Sequence, residues 1–446
     1  MKKHTSILLA GMLAGSFTAC NPLQTEQVID PNFPSVGAVS ANASKAQLDA
    51  LAIGQISLAR GTNATGYGTY LLIVGTIGKE LFNFNGTESR WMTELNGTRP
   101  IDNSAFYNGA TTTFGLPVRQ ANITLASLNN TSSVSDAQKN GYRGIANTYK
   151  GLAYLYMLNA QGTNGIRLNV EDPFKPSKLA SYAESLAGIA KILDEGATQL
   201  DQAGTAFAFT TPSGLAGFNT PATFKRFNRA IALRVAIYQA DWAKAATLLP
   251  QTFYNASGDL NVGPRNTYNP TPPDVQNPLL NTSSSQIVGV KEVFEAAEPG
   301  DKRLAKVRKL DAPLTYTSGV NYSTPYLTNM FTSASDAIPI IRNEELVLIA
   351  AEIAAQQGNV AEATRNINIV RTAAGLPNYA GATTKDALIN AILKERLYSL
   401  FYEGHRWVDM RRYNKLGEII LPVTGMKVLE RLERPVAEVN WDIFNP

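Results

Sequence analysis

Glu395 to Leu416 reads ERLYSLFYEGHRWVDMRRYNKL, and this stretch decides the fold class. It ends a helix that starts near Lys385 after the Thr383-Thr384 cap and carries Leu388, Ile392, Leu397 and Leu400 on one side. Working outward, Leu346, Ile349, Ala350, Ile353 and Ala354 recur at helical spacing, Gly358-Asn359 breaks the run, and Ala363, Ile367, Val370 and Ala374 resume it before Gly375 and Pro377 close it. The spacing predicts two helical hairpins, with small inward residues, stacked side by side.

Within the quoted string Glu403, Arg406, Asp409 and Arg412 step by three residues, which lines alternating charges along one helix face about 5 to 6 Å apart. Such partners neutralise each other, whereas a catalytic acid requires a displaced pKa. The series is therefore expected to be a structural network joining the last hairpin to the body. His405 lies beside it, and the other histidine of the chain is His4. One histidine in the body cannot build a multi-histidine metal site, so no metal or cofactor is expected. The sequence also lacks a Gly-x-Ser-x-Gly elbow, a phosphate loop, a His-Glu-x-x-His pair and a Cys/His pair. It is read as a binding protein and not an enzyme.

The ordered set Arg342, Glu345, Ala351-Glu352, Gly358, Asn368 with Arg371, Glu395-Arg396, Glu403-Gly404-His405-Arg406, and Asp409 with Arg411 or Arg412 resembles the C-terminal signature of the SusD/RagB family. Upstream, Tyr142 to Leu158 resembles the family's first long helix, Ala232 to Leu249 its Ala-rich second hairpin, and Asp301 to Arg303 its short acidic-basic element. The resemblance implies a nutrient-binding outer-membrane lipoprotein over a SusC-like TonB-dependent transporter. It would capture an oligosaccharide, or a peptide in RagB-like cases, and deliver it inward.

The start of the chain agrees with that implication. Lys2 and Lys3, an apolar run from Ile7 to Phe17 and small residues ending at Cys20 have the layout of a lipoprotein signal. Residues 1–19 are expected to be cleaved, Cys20 lipidated, and 20–44, with Pro22, Pro31 and Pro34, to act as a tether. Loss of Lys2 and Lys3 lowers the net charge from +4 to +2. Basic and acidic residues are interleaved, so the concentrated basic surface that nucleic acid demands is missing. No later segment reaches about eighteen consecutive apolar residues, which leaves the lipid as the expected membrane attachment.

Residues 45–446 read as one mostly α domain of tetratricopeptide-like hairpins, with helices near 45–60, 136–160, 181–202, 222–249, 343–374 and 385–415. Long irregular insertions at about 61–130 and 250–335 interrupt the array before the signature at 342–414. Insertions are where a binding surface is built. Their aromatics suit sugars, whose C–H faces stack on rings while hydroxyls need donors and acceptors. The ligand candidates are Trp91, Tyr107, Tyr268, Tyr316 and Tyr322, and Phe106 precedes Tyr107 in the same loop. Large aromatics are also mostly buried, so each ring could instead plug its loop onto the helices. The rival functions are a helical-repeat scaffold that binds protein and a lipid-anchored glycosidase, which needs no more than two carboxylates.

Overall fold

The computed structural model describes residues 36–61, 66–172 and 174–445. Cys20, the leader and the tether up to residue 35 lie outside them. The expected tether ends earlier than residue 44, because α1 (Val36–Asn42) is a helix whose Val39 shares a small core with Ala43, Leu48 and Leu128. It is followed at once by α2 (Lys45–Arg60), where Ser44 and Gln47 form a reciprocal capping box.

The insertions hold more regular structure than their composition suggests. The first contains α3 (Tyr67–Ile77), strand β1 (Leu81–Asn85), the short α4 (Gly109–Thr112) and α5 (Gly115–Asn130). All of α3 is buried, so it has no polar face and no periodicity to read. Then come α6 (Asp136–Gln161), α7 (Tyr182–Asp201), α8 (Pro221–Tyr238) and α9 (Trp242–Leu248). Glycines on α6 let α7 come close: a Cβ on Gly144 would stand 2.5 Å from Leu200 Cγ, and one on Gly151 would stand 2.8 Å from Leu193. Between α8 and α9, Ala240 has φ 55° and the Asp241 side chain accepts from Lys244 N–H, which makes the tight turn of the hairpin.

The second insertion supplies β2 (Arg265–Asn266), β3 (Ser285–Gly289), α10 (Lys291–Glu295), β4 (Val307–Tyr316) and β5 (Tyr322–Thr328), and β6 (Ile338–Pro339) follows it. Strands β1-β3-β5-β4 form an antiparallel sheet in that order, pairing Phe82 with Val288 and Tyr316 with Tyr322. β2 and β6 make a separate pair. β4 hid from a reading of the sequence because it is an irregular edge strand. Its register shifts between Lys309 and Leu314, around Pro313, and Arg308 and Lys309 are exposed on it, the usual protections of an open edge.

The C-terminal hairpins follow the sequence reading closely, as α11 (Asn343–Gln356), α12 (Val360–Ala373), α13 (Lys385–Ser399) and α14 (Arg406–Arg412). Gly358 (φ 76°) turns the chain, Asn359 caps α12 on Glu362 N–H, and Thr384 caps α13 on Ala387 N–H. A further helix, α15 (Val436–Phe444), is tied through Glu438 to Arg167 in the loop that follows α6. The main core runs from α3 and β1 through α6, α7 and α8 to α11 and α14.

Candidate ligand face

The charged signature is buried and paired. Arg234 grips Glu345 with Nε–Oε1 at 2.8 Å and a second contact at 2.6 Å, joining α8 to α11. Arg396 Nε donates to Asp409 at 2.6 Å, and Arg412 bridges Asp409 (3.0 Å) and Glu352 (2.8 Å). Arg342 holds Glu403 at 2.6 Å, and Glu395 receives Arg303 (2.6 Å) and Arg371 (2.7 Å). Burial pushes the Asp409 and Glu345 carboxyls up, but the facing arginines outweigh it and hold both down at about 2. The expected network is therefore present, with one correction of membership: Arg406 forms no ion pair among the described residues. Asp409 is taken by Arg396 and Arg412 instead.

The insertion face is built at one end of the sheet. β1 runs into a single turn, Ser89–Trp91, that sets Arg90 and Trp91 side by side. Arg90 donates to both oxygens of Glu88 (2.8 and 2.6 Å), lies 3.6 Å from Asp102 and sits 5.6 Å over the Phe106 ring. Trp91 packs on Phe106 with centroids 4.7 Å apart, and Phe106 meets Tyr107 edge-on at 5.2 Å. Tyr107 donates to Glu94 at 2.6 Å and accepts from Asp102 N–H at 2.5 Å, which fixes the loop. The β4–β5 turn leans on the same region, since a Cβ on Gly319 would touch Thr93 and approach Arg99.

The five sequence candidates are all buried here: Trp91 keeps 7 % of its surface, Tyr107 none, Tyr268 5 %, and Tyr316 and Tyr322 6 % each. Trp91 and Tyr107 share one cluster. Tyr316 and Tyr322 face each other across the hairpin and pack on Phe84, while Tyr322 accepts from Lys291 N–H and donates to Glu292. Tyr268 lies apart, under the Arg60 guanidinium at 5.3 Å. These rings anchor the insertions. The side chains left open at the surface are Arg90, Glu88, Asp102 and the half-buried Phe106, with Arg99 at the rim. Phe106 was visible in the sequence only as the neighbour of Tyr107; the signal that separates them is the polar partner Tyr107 finds inside.

Neither rim carboxyl is poised to give a proton. The Arg90 hydrogen bond holds Glu88 below the usual carboxylate range, and hydrogen bonds from Ser104 do the same for Asp102. Burial lifts the Glu80 carboxyl to about 8, but it is enclosed by the core. Among the described residues no group of three or more His, Cys, Asp or Glu is arranged to hold a metal ion, and no helix is long and apolar enough to cross a membrane.

The C-terminal signature and the architecture both have counterparts among known proteins. Residues 315–443 match the SusD family model. Over 139 residues the chain is 32% identical to SusD-like protein P38 of Formosa agariphila; the match covers 29% of this chain and spans 27% of that relative's length. The fold is similar to surface glycan-binding protein A from Bacteroides thetaiotaomicron, with a TM-score of 0.70, 13% identity, and 90% of this chain and 98% of that one covered. The same protein in complex with laminarihexaose superposes with a TM-score of 0.64 at 13% identity, covering 89% and 97%. The chain thus carries the SusD/RagB signature on a SusD fold.

Proposed function

We propose that this chain captures oligosaccharide at the insertion face and hands it to a SusC-like TonB-dependent transporter in the outer membrane, to which Cys20 would anchor it by lipid. The observation that carries the reading is the Arg90–Phe106–Trp91 cluster. It presents a partly open ring flanked by a guanidinium and two ionised carboxylates, on the insertion face of a fold whose neighbour is a surface glycan-binding protein seen with laminarihexaose. A sugar ring needs an apolar plate and fixed donors and acceptors around it, and the rim provides both. Capture without turnover is supported by the two rim carboxylates, neither of which is a proton donor at neutral pH.

The test is calorimetric titration of the soluble chain, begun at residue 21, with laminarihexaose, maltohexaose and a tryptic peptide mixture. Saturable binding of an oligosaccharide, weakened at least tenfold by Phe106→Ala and by Arg90→Ala with unchanged melting temperature, is the expected result. Binding of peptide alone would reassign the ligand class. Oligosaccharide binding indifferent to both variants would move the site elsewhere. Transport partnership is tested separately, by whether a SusC-like barrel co-purifies with the lipidated chain and is lost with Cys20→Ser.

A further inference from the structure

A second surface, sharing no residue with the insertion-face cluster, surrounds the last helix. Two arginines clamp α15 by its carboxylates. Arg167, itself buried, donates Nε to Glu438 at 2.7 Å and pairs with Asp442, and Arg434 reaches Asp442 at 2.5 Å. The clamp turns the acidic side of α15 inward and leaves Trp441 half-buried between two grooves. One groove, of about 790 Å³, runs between α1, α5 and α15 past Ser40, Arg119, Asn122, Val170 and Trp441. The other, of about 470 Å³, passes Phe174, Lys175, Lys178 and Trp441. They meet at Arg167, Pro176 and Trp441.

Three features of these walls are unaccounted for by the fold. Both amide atoms of Asn122 are shielded from solvent and have no hydrogen-bond partner, an arrangement that leaves a donor and an acceptor unsatisfied in the groove wall. Phe174 is 82 % exposed beside Trp441, far more than packing would leave an aromatic ring. The cations outnumber the free acids: Arg119, Lys175 and Lys178 have no ion-pair partner among the described residues, whereas Glu171 is held by Lys150 and Glu438 and Asp442 by the clamp. The remaining neighbouring acid, Asp172, accepts from Phe174 N–H.

We infer that this double groove is a second saccharide site, for a sugar bearing carboxylate or sulfate groups. Trp441 and Phe174, which line the same groove, supply the ring faces for C–H stacking. Arg119, Lys175 and Lys178 meet the acidic substituent, in keeping with charge-assisted recognition. The inference rests on the proposed function only in taking the ligand to be a saccharide; its residues and its charge preference are separate.

The experiment titrates the soluble chain from residue 21 with trigalacturonate and a chondroitin sulfate tetrasaccharide, and with maltotriose as the neutral control. The expected result is saturable binding of at least one acidic oligosaccharide, weakened by added salt and at least tenfold by Trp441→Ala and by Arg119→Gln, and unchanged by Phe106→Ala. Melting curves identify any variant that has lost its fold, and Lys178→Gln, at an exposed position, serves as the second charge variant. The inference is overturned if neither acidic sugar binds, if maltotriose binds the Phe106→Ala variant as well as the acidic sugars do, or if Phe106→Ala abolishes the acidic-sugar binding. It is also overturned if phosphatidylglycerol vesicles bind this face and trigalacturonate does not compete, since the surface would then meet lipid. Failure of neutral-sugar binding at Phe106 with intact acidic-sugar binding at Trp441 would sink the proposed function and leave this inference standing.

Discussion

At the residue scale the sequence distinguishes charge from chemistry better than it distinguishes one arginine from another. The three-residue step correctly placed Glu403, Asp409 and Arg412 in a structural network, but put Arg406 there too. Which arginine reaches a carboxylate depends on the helix across the interface, and Arg396 on α13 arrives from that side at 2.6 Å. Removing one partner of a buried pair leaves an uncompensated charge and costs about 3–5 kcal/mol. Arg396→Ala should therefore lower the melting temperature sharply in a thermal melt, and Arg406→Ala far less; equal losses would put Arg406 inside the network. The aromatics teach the same lesson. Type and loop context pointed to Trp91, yet its ring is packed on Phe106, and truncation of a buried Trp costs about 3–5 kcal/mol. Trp91→Ala is expected to destabilise the chain while Phe106→Ala leaves its melt nearly unchanged, a comparison made by circular dichroism.

At the scale of elements, helices with caps and a wet face were legible to within a few residues, since Ser135, Ser181, Thr220 and Thr384 each write a side-chain cap into the sequence. The elements that escaped lack those marks. α3 has no wet face, β4 is broken by a register shift, and α15 is a short helix with no buried residue, held by ion pairs to Arg167 and Arg434. The last case is testable. Arg167 joins the 165–180 loop to both Glu438 and Asp442, and the main-chain N–H of Val436 donates to Asn103 O at 3.0 Å at the start of the helix. With Arg167→Ala the helix keeps its first-turn tether and its Arg434 contact but loses the central clamp. Amide hydrogen exchange should then quicken across 436–444 and leave α11 to α14 protected. Faster exchange through those hairpins would mean that α15 supports the whole core.

At the scale of the molecule, buried titratable groups set how stability follows pH, and their signs oppose. Burial holds His405 down at about 4, so the unfolded chain binds the extra proton and stability is lost as pH falls from about 6.5 to 4. Burial lifts Glu80 to about 8, so the folded chain binds the extra proton and stability is lost as pH rises from about 4.5 to 8. Between about 4.5 and 6.5 these two slopes, each about 1.4 kcal/mol per pH unit, cancel. Lys79, pressed down to about 7 by its own burial, loses stability as pH falls from about 10.5 to 7 and so offsets Glu80 between 7 and 8. Below about 4.5 nothing compensates the carboxylates: Asp409 and Glu345, and Glu298 under Arg371 and Lys394, are held at about 2, and their contribution drains away as pH falls toward that value. Urea midpoints should accordingly be level from pH 6.5 to 4.5 and fall steeply below. Glu80→Gln removes one side of the balance, so its midpoint should rise with pH across the same interval, by the slope His405 alone imposes. A parent midpoint that already rises with pH across that interval, and is matched by the variant, would show that Glu80 is ionised within the fold, held by the nearby Arg406, which has no ion-pair partner among the described residues.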